Sequence, residues 1–153
     1  MASFVYTPAK TALLNGDIDL AANDIRVALL KTSGNTTADT EQNTQFVGGL
    51  TTLGEISATN YVRKALASAA VNEDAANNRA EFDAADVTWT ALGGAANDTI
   101  GAILVYRQVT NDADSPLIAY IDGAIFPGSQ SSLTTNGSDV TIQWNAEGIL
   151  QLT

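Results

Sequence analysis

Residues 100–122 read IGAILVYRQVTNDADSPLIAYID, and the fold follows from how this stretch is read. Two apolar runs of strand length, rich in Ile, Val, Leu and Tyr, flank a polar loop. Asn111, Asp112, Asp114 and Ser115 lie in that loop. Such side chains favour turns because they bond to nearby backbone. The pattern predicts an antiparallel hairpin at the centre of a β-sheet. Strict alternation puts Ile100, Ala102, Leu104 and Tyr106 on one face and Ile103, Val105 and Arg107 on the other. Both faces are apolar as far as Arg107, so the strand is expected to be covered on both sides, by a second sheet, another chain, or both.

Outward from the hairpin, the same alternation recurs. IRVALLK (Ile25–Lys31) reads as a strand with Ile25, Val27 and Leu29 on the core face. Short strand signals follow at 61–66 and 69–72. Residues 79–83 turn Ala80 and Phe82 inward, and 87–92 alternate Val87, Trp89 and Ala91 against Thr88 and Thr90. The connection 84–86 has hairpin length. Val140, Ile142 and Trp144 alternate with polar residues, 146–148 reads as a tight turn, and 149–153 as a final strand. Pro127-Gly128 and Asn136-Gly137 are strong turn signals. Near the start, TPAKTALLNG predicts a helix over 8–15, with Thr7 as N-cap, Pro8 in the first turn, Ala12 and Leu13 as anchors, and Gly16 past the end. About eight or nine short strands, one small helix and no βαβ rhythm give a mainly β fold, an antiparallel β-sandwich or barrel-like fold with one short N-terminal helix. A single domain over 1–153 is expected, with an N-terminal arm (1–6) and a long loop (32–57). That loop reads either as a partner-contact segment or as a surface connection.

Seven basic residues face 17 acidic ones, for a net charge of −10. That argues against a nucleic-acid surface, which needs clustered Lys and Arg. Histidine and cysteine are absent. Disulfides, thiolate metal sites, Cys nucleophiles and the commonest general base are therefore excluded. No apolar run approaches the roughly 20 residues of a membrane-spanning helix, and MASFVYTPAK has no charged segment followed by an apolar one, so no signal peptide is expected.

Catalytic patterns are equally sparse. Lys10, Lys31 and Lys64 lie in no Ser-x-x-Lys arrangement, and the paired glycines 48–49 and 93–94 precede no phosphate-loop sequence. Glu81, Asp83 and Asp86, or Asp122 with Glu147, are candidate acid pairs for a glycosidase, but nothing in the sequence sets them across a cleft. Asp17 with Asp19, and Asp112 with Asp114 beside Asn111, have oxygen ligands suited to calcium, but solvated turns are the favoured reading. Trp89 and Trp144 could stack on sugars, yet each alternates with polar residues as core tryptophans do. No catalytic residue, cofactor or metal is expected.

The candidate contacts are instead with partners. The apolar arm, Ser3, Phe4, Val5 and Tyr6, could add to a neighbour's sheet or groove, or pack on its own core. The second face of the hairpin, Ile103, Val105, Ile118 and Tyr120, would be an oligomer interface if left bare. On this reading, removing 1–6 abolishes attachment and leaves the far-ultraviolet circular dichroism unchanged.

Several segments carry a resemblance: LLNGDIDL (13–20), IRVALL (25–30), NRAEFDAADVTWTAL (78–92), SPLIAYID (115–122) and VTIQWNAEGILQLT (140–153). The chain resembles small virion proteins of tailed bacteriophages and is similar to their head decoration, or cement, proteins. The resemblance implies a β-rich capsid decoration protein, often a homotrimer. It would clamp neighbouring copies of the major capsid protein on the capsid exterior, after assembly in the host cytoplasm, without nucleic acid or membrane as partner. The alternative is a tail-associated or carbohydrate-binding module of a phage virion. Loop 32–57 lies outside the resemblance.

Overall fold

A computed structural model describes residues 3–122, 126 and 130–153. The expected turn at Pro127-Gly128 lies outside the described residues. The elements in chain order are β1 (Phe4–Val5), α1 (Thr7–Asn15), β2 (Ile25–Lys31), β3 (Lys64–Ala65), β4 (Ala70–Asp74), β5 (Arg79–Asp83), β6 (Val87–Leu92), β7 (Thr99–Arg107), β8 (Leu117–Asp122), β9 (Leu133–Thr134), β10 (Ser138–Ile142) and β11 (Leu150–Leu152). The chain is mainly β, with antiparallel sheets and one short N-terminal helix, as its alternation predicts.

The expected hairpin, β7 and β8, is central. The main sheet runs β1-β8-β7-β2-β3, and β9 adds to one end of β7. One face packs against two smaller sheets, β10-β6 and β11-β5-β4. Val27, Leu29, Ile103, Val105 and Ile118 meet Phe82, Trp89, Val140 and Ile142 there in one apolar core. The second face, carrying Ala28, Leu30, Ala102, Leu104, Tyr106, Leu117 and Tyr120, is equally buried. Its cover is not a further sheet but loop 32–57, through Ala38, Val47 and Leu50, together with Tyr6 and Ala9 from the N-terminal segment.

A loop can lie over a core only if its polar backbone finds partners. The Thr37 N–H donates to Thr52 O, the Thr36 hydroxyl to Leu53 O, and Thr51 N to the Glu41 carboxylate. The Tyr6 phenol donates to Ala38 O at 2.7 Å. Loop 32–57 is therefore a structural lid on the sheet rather than a wandering connection.

Two bulges correct the expected faces. Leu30 pairs with Ala102, but Lys31 pairs with Ile100, so Gly101 is an extra residue. The slip turns Ile100 into the same core as Ile103, not onto the face of Ala102 and Leu104. Similarly, Val105 pairs with Ala119 while Tyr106 pairs with Leu117, leaving Ile118 bulged. Ile118 and Tyr120 thus face opposite cores. A bulge adds one residue to one strand and reverses the parity beyond it.

The connections differ too. The expected hairpin between β5 and β6 does not form: β5 pairs with β4 and β11, and β6 with β10. Nor do β10 and β11 pair across 146–148. Instead β5 and β6 follow one another as one arm of a bent ribbon, with β10 and β11 as the antiparallel arm. Trp144 holds the corner, donating its N–H to Asp86 and its indole N–H to Ala85 O, each at 3.1 Å. The helix begins one residue earlier than expected, with Tyr6 rather than Thr7 at the N-cap position and no side-chain cap. Gly16 ends it in the left-handed conformation, φ 77°.

Candidate functional site

Of the residues expected to meet partners, Ile103, Val105 and Ile118 are fully buried and Tyr120 is 2% exposed, so this set is core and forms no bare interface. The physical reason is cover on both faces: Ile103, Val105 and Ile118 pack against the two smaller sheets, and loop 32–57 with the N-terminal segment covers Tyr120. The arm is also not free. Phe4 pairs with Tyr120 and Val5 with Ala119 as strand β1, Phe4 stacks on Tyr120, and Tyr6 is fully buried. Ser3 is exposed, and its hydroxyl accepts from the Asp122 N–H. The arm packs on its own chain, the second of its two expected roles, and it does so as an edge strand, which its sequence did not reveal.

The acidic candidates are dispersed. Asp112 is held by Arg63, whose guanidinium donates to both its oxygens at 2.5 and 2.9 Å. The same guanidinium grips Glu55 at 2.8 and 2.7 Å and lies over the Tyr106 ring, 5.3 Å from its centre. The Arg63 hydrogen bonds hold the Asp112 carboxyl below its ordinary range. Tyr61 donates to Glu55 and accepts from Leu29 N; burial beside that carboxylate raises its phenol. This network ties the lid, through Glu55, to the β7-β8 loop, through Asp112. Its geometry is that of a fastening.

Asp114 accepts from Asn111, and Asp19 accepts from the N–H groups of Ala21 and Ala22, as turn-forming acids do. Among the described residues, no group of three or more acids is placed to hold a metal ion. Arg79 lies between Asp74 and Glu81, at 2.9 and 2.7 Å, with Glu147 at 3.4 Å. Glu81 Oε1 is close to Arg79 but out of line for a hydrogen bond. Asp86 is used at the ribbon corner. Trp89 is buried and donates its indole N–H to Val62 O; Trp144 is half-buried. Lys64 lies over the Trp89 ring, and Trp144 packs against the core.

What the described surface does offer is an apolar groove that sequence reading missed. A cavity of about 450 Å³ lies between α1 and the sheet β11-β5-β4. Leu13, Leu14 and Leu20 form one wall; Val71, Phe82 and Leu152 are on the other. Leu14 is 81%, Leu152 70% and Val71 53% exposed. A second cavity, of about 300 Å³, opens beside it between β1 and residues 148–151. The two share Val5, Leu150 and Gln151 in their walls, so they adjoin. A sequence signal for the groove existed: Leu13 and Leu14 are adjacent, and adjacent residues on a short helix cannot both face the same core.

In comparisons with known proteins, no family model matched the chain, and neither a curated protein nor a solved structure gave a match.

Proposed function

We propose that this chain is a structural binding protein of a tailed-phage virion, of the head decoration type. It attaches to the outside of the shell through non-covalent contacts and performs no reaction. The observation that carries the proposal is the apolar groove beside two strands, β1 and β11, that end their sheets among the described residues, while both faces of the central hairpin are covered from within the chain. Exposed, contiguous apolar surface rimmed by polar residues is the usual mark of a contact site. The segments at 13–20, 78–92, 115–122 and 140–153 supply the virion context through their resemblance to small phage virion proteins.

The mechanism is multivalent. Modest contacts, repeated on a lattice of the major capsid protein, act together with high effective concentration. Binding to the intact shell alone shifts its equilibrium away from disassembly. A homotrimer fits this scheme, with its interface outside Ile103, Val105, Ile118 and Tyr120, which are core. The test is co-sedimentation of purified protein with empty shells from the phage that encodes it. Saturable binding that raises the shell's unfolding temperature is expected; protein left wholly in the supernatant overturns the reading.

A further inference from the structure

The chain holds the pair Asn-Gly twice, at 15–16 and at 136–137. The pair is chemically labile, because a glycine has no Cβ to keep its amide nitrogen away from the preceding side chain. That nitrogen bonds to the asparagine Cγ, the Cγ–Nδ2 bond breaks, and ammonia leaves with the proton the glycine nitrogen gives up. Water then breaks one of the two N–C bonds of the cyclic imide, its hydroxyl going to carbon and its proton to nitrogen. One cleavage gives aspartate, the other isoaspartate. No electron is transferred, and solvent water is the co-reactant. The fold decides whether the main chain is free to turn into this ring.

At 136–137 it is held. The Gly137 N–H donates to Leu92 O at 2.8 Å, and Asn136 Oδ1 accepts from the Ser138 N–H at 3.0 Å. A Cβ on Gly137 would lie 3.3 Å from Gly94 Cα, so its backbone rests on the turn that follows β6. The next residue, Ser138, opens β10 and pairs with Leu92. Ring closure here must release contacts with a distant strand, which lies at the costly end of local opening. At 15–16 the surroundings are open. Asn15 is the exposed last residue of α1, and its side chain has no hydrogen bond among the described residues. Gly16 is exposed too, and a Cβ on it would meet nothing within 4 Å. The bonds at this point come from the helix's own last turns: the Gly16 N–H donates to Leu13 O at 3.2 Å and the Asp17 N–H to Ala12 O at 2.8 Å. Helix ends fray, and a helix of nine residues is too short to be stable alone.

We infer that Asn15 is a site of spontaneous modification, converting to aspartate and isoaspartate in the folded protein, while the fold keeps Asn136 intact. The product acts on α1. A new carboxylate at the helix C-terminus opposes the helix dipole, and isoaspartate adds a methylene to the main chain where Gly16 caps the helix. Leu13 and Leu14 of that helix line the apolar groove, so modification loosens one of its walls. The inference does not depend on the decoration reading.

The test follows both asparagines through time. Native protein and the same chain unfolded in urea are aged side by side, digested, and read by peptide mass spectrometry, with isoaspartate resolved by chromatography. In urea the two sites share one local sequence and should convert at similar rates. In native protein Asn15 should convert about tenfold or more faster than Asn136. Asn15→Gln should remove the native-state products at 15 and leave Asn136 as it was. Equal native rates at the two sites overturn the inference. So does an Asn15 that stays intact in native protein over the time in which the urea sample converts.

Discussion

Gly101 sits where β7 slips past β2, and the backbone of Thr32 crosses directly over it. A Cβ built there would lie 2.5 Å from Thr32 Cα. Neither partner is the end of a flexible side chain, so the backbone must move. Gly101→Ala should cost about 1–3 kcal/mol, as overpacking of a close-packed interior does; urea unfolding measures it. Charge at single residues sets a second expectation. The backbone N–H of Ser57 holds the Asp98 carboxyl below its ordinary range, with Lys31 nearby, and Arg63 does the same for Asp112. Both carboxyls bind protons less readily folded than unfolded. Their contribution is therefore present above the ordinary aspartate value of 3.8 and lost as pH falls through the lower folded values. Unfolding midpoints should fall with acidification, and Asp98→Asn should flatten that slope while lowering stability near neutrality.

At the scale of elements, β1 and the lid stand or fall together. Tyr6 is fully buried and tethers Ala38 of the lid, while Phe4 stacks on Tyr120 with ring centres 5.5 Å apart. Removing residues 1–6 should lower stability by about 3 kcal/mol or more, the scale of losing a large buried aromatic. It should also expose the second face of β7 and β8 to hydrophobic dyes. A truncated chain with native thermal stability would contradict the role of Phe4 and Tyr6 as cover for that face. The elements themselves were legible where pattern is local. Strands β2, β5 and β6 match their expected ranges because alternation of Val27 with Ala28, or of Trp89 with Thr88, is written in adjacent residues. Pairing was not legible. Val140 pairs with Trp89 and Leu150 with Phe82 through contacts distant in sequence, so the apparent turns at 84–86 and 146–148 misled. The bulges at Gly101 and Ile118 were hidden for the same reason, since a register slip exists only relative to a partner strand.

For the whole molecule, the same difference separates what composition reveals from what it conceals. The alternation around Leu104 and Val105 correctly demanded cover on two sides. What supplied it, a Thr- and Asn-rich loop with its polar groups internally bonded, has no periodicity to betray it. That loop covers Tyr120 and the smaller sheets cover Ile103, Val105 and Ile118, so of the surface first expected to bind none is open, and among the described residues the groove beside α1 is apolar and open. Leu14 and Leu152 come together there from opposite ends of the chain, which no local reading could foresee. The acidic excess then bears on the partner rather than on the fold. The central claim is attachment without chemistry, and co-sedimentation of the native protein with empty shells tests it most directly. Saturable, salt-sensitive binding in a fixed ratio to shell subunits is the expected result; protein that stays in the supernatant at every shell concentration would contradict it.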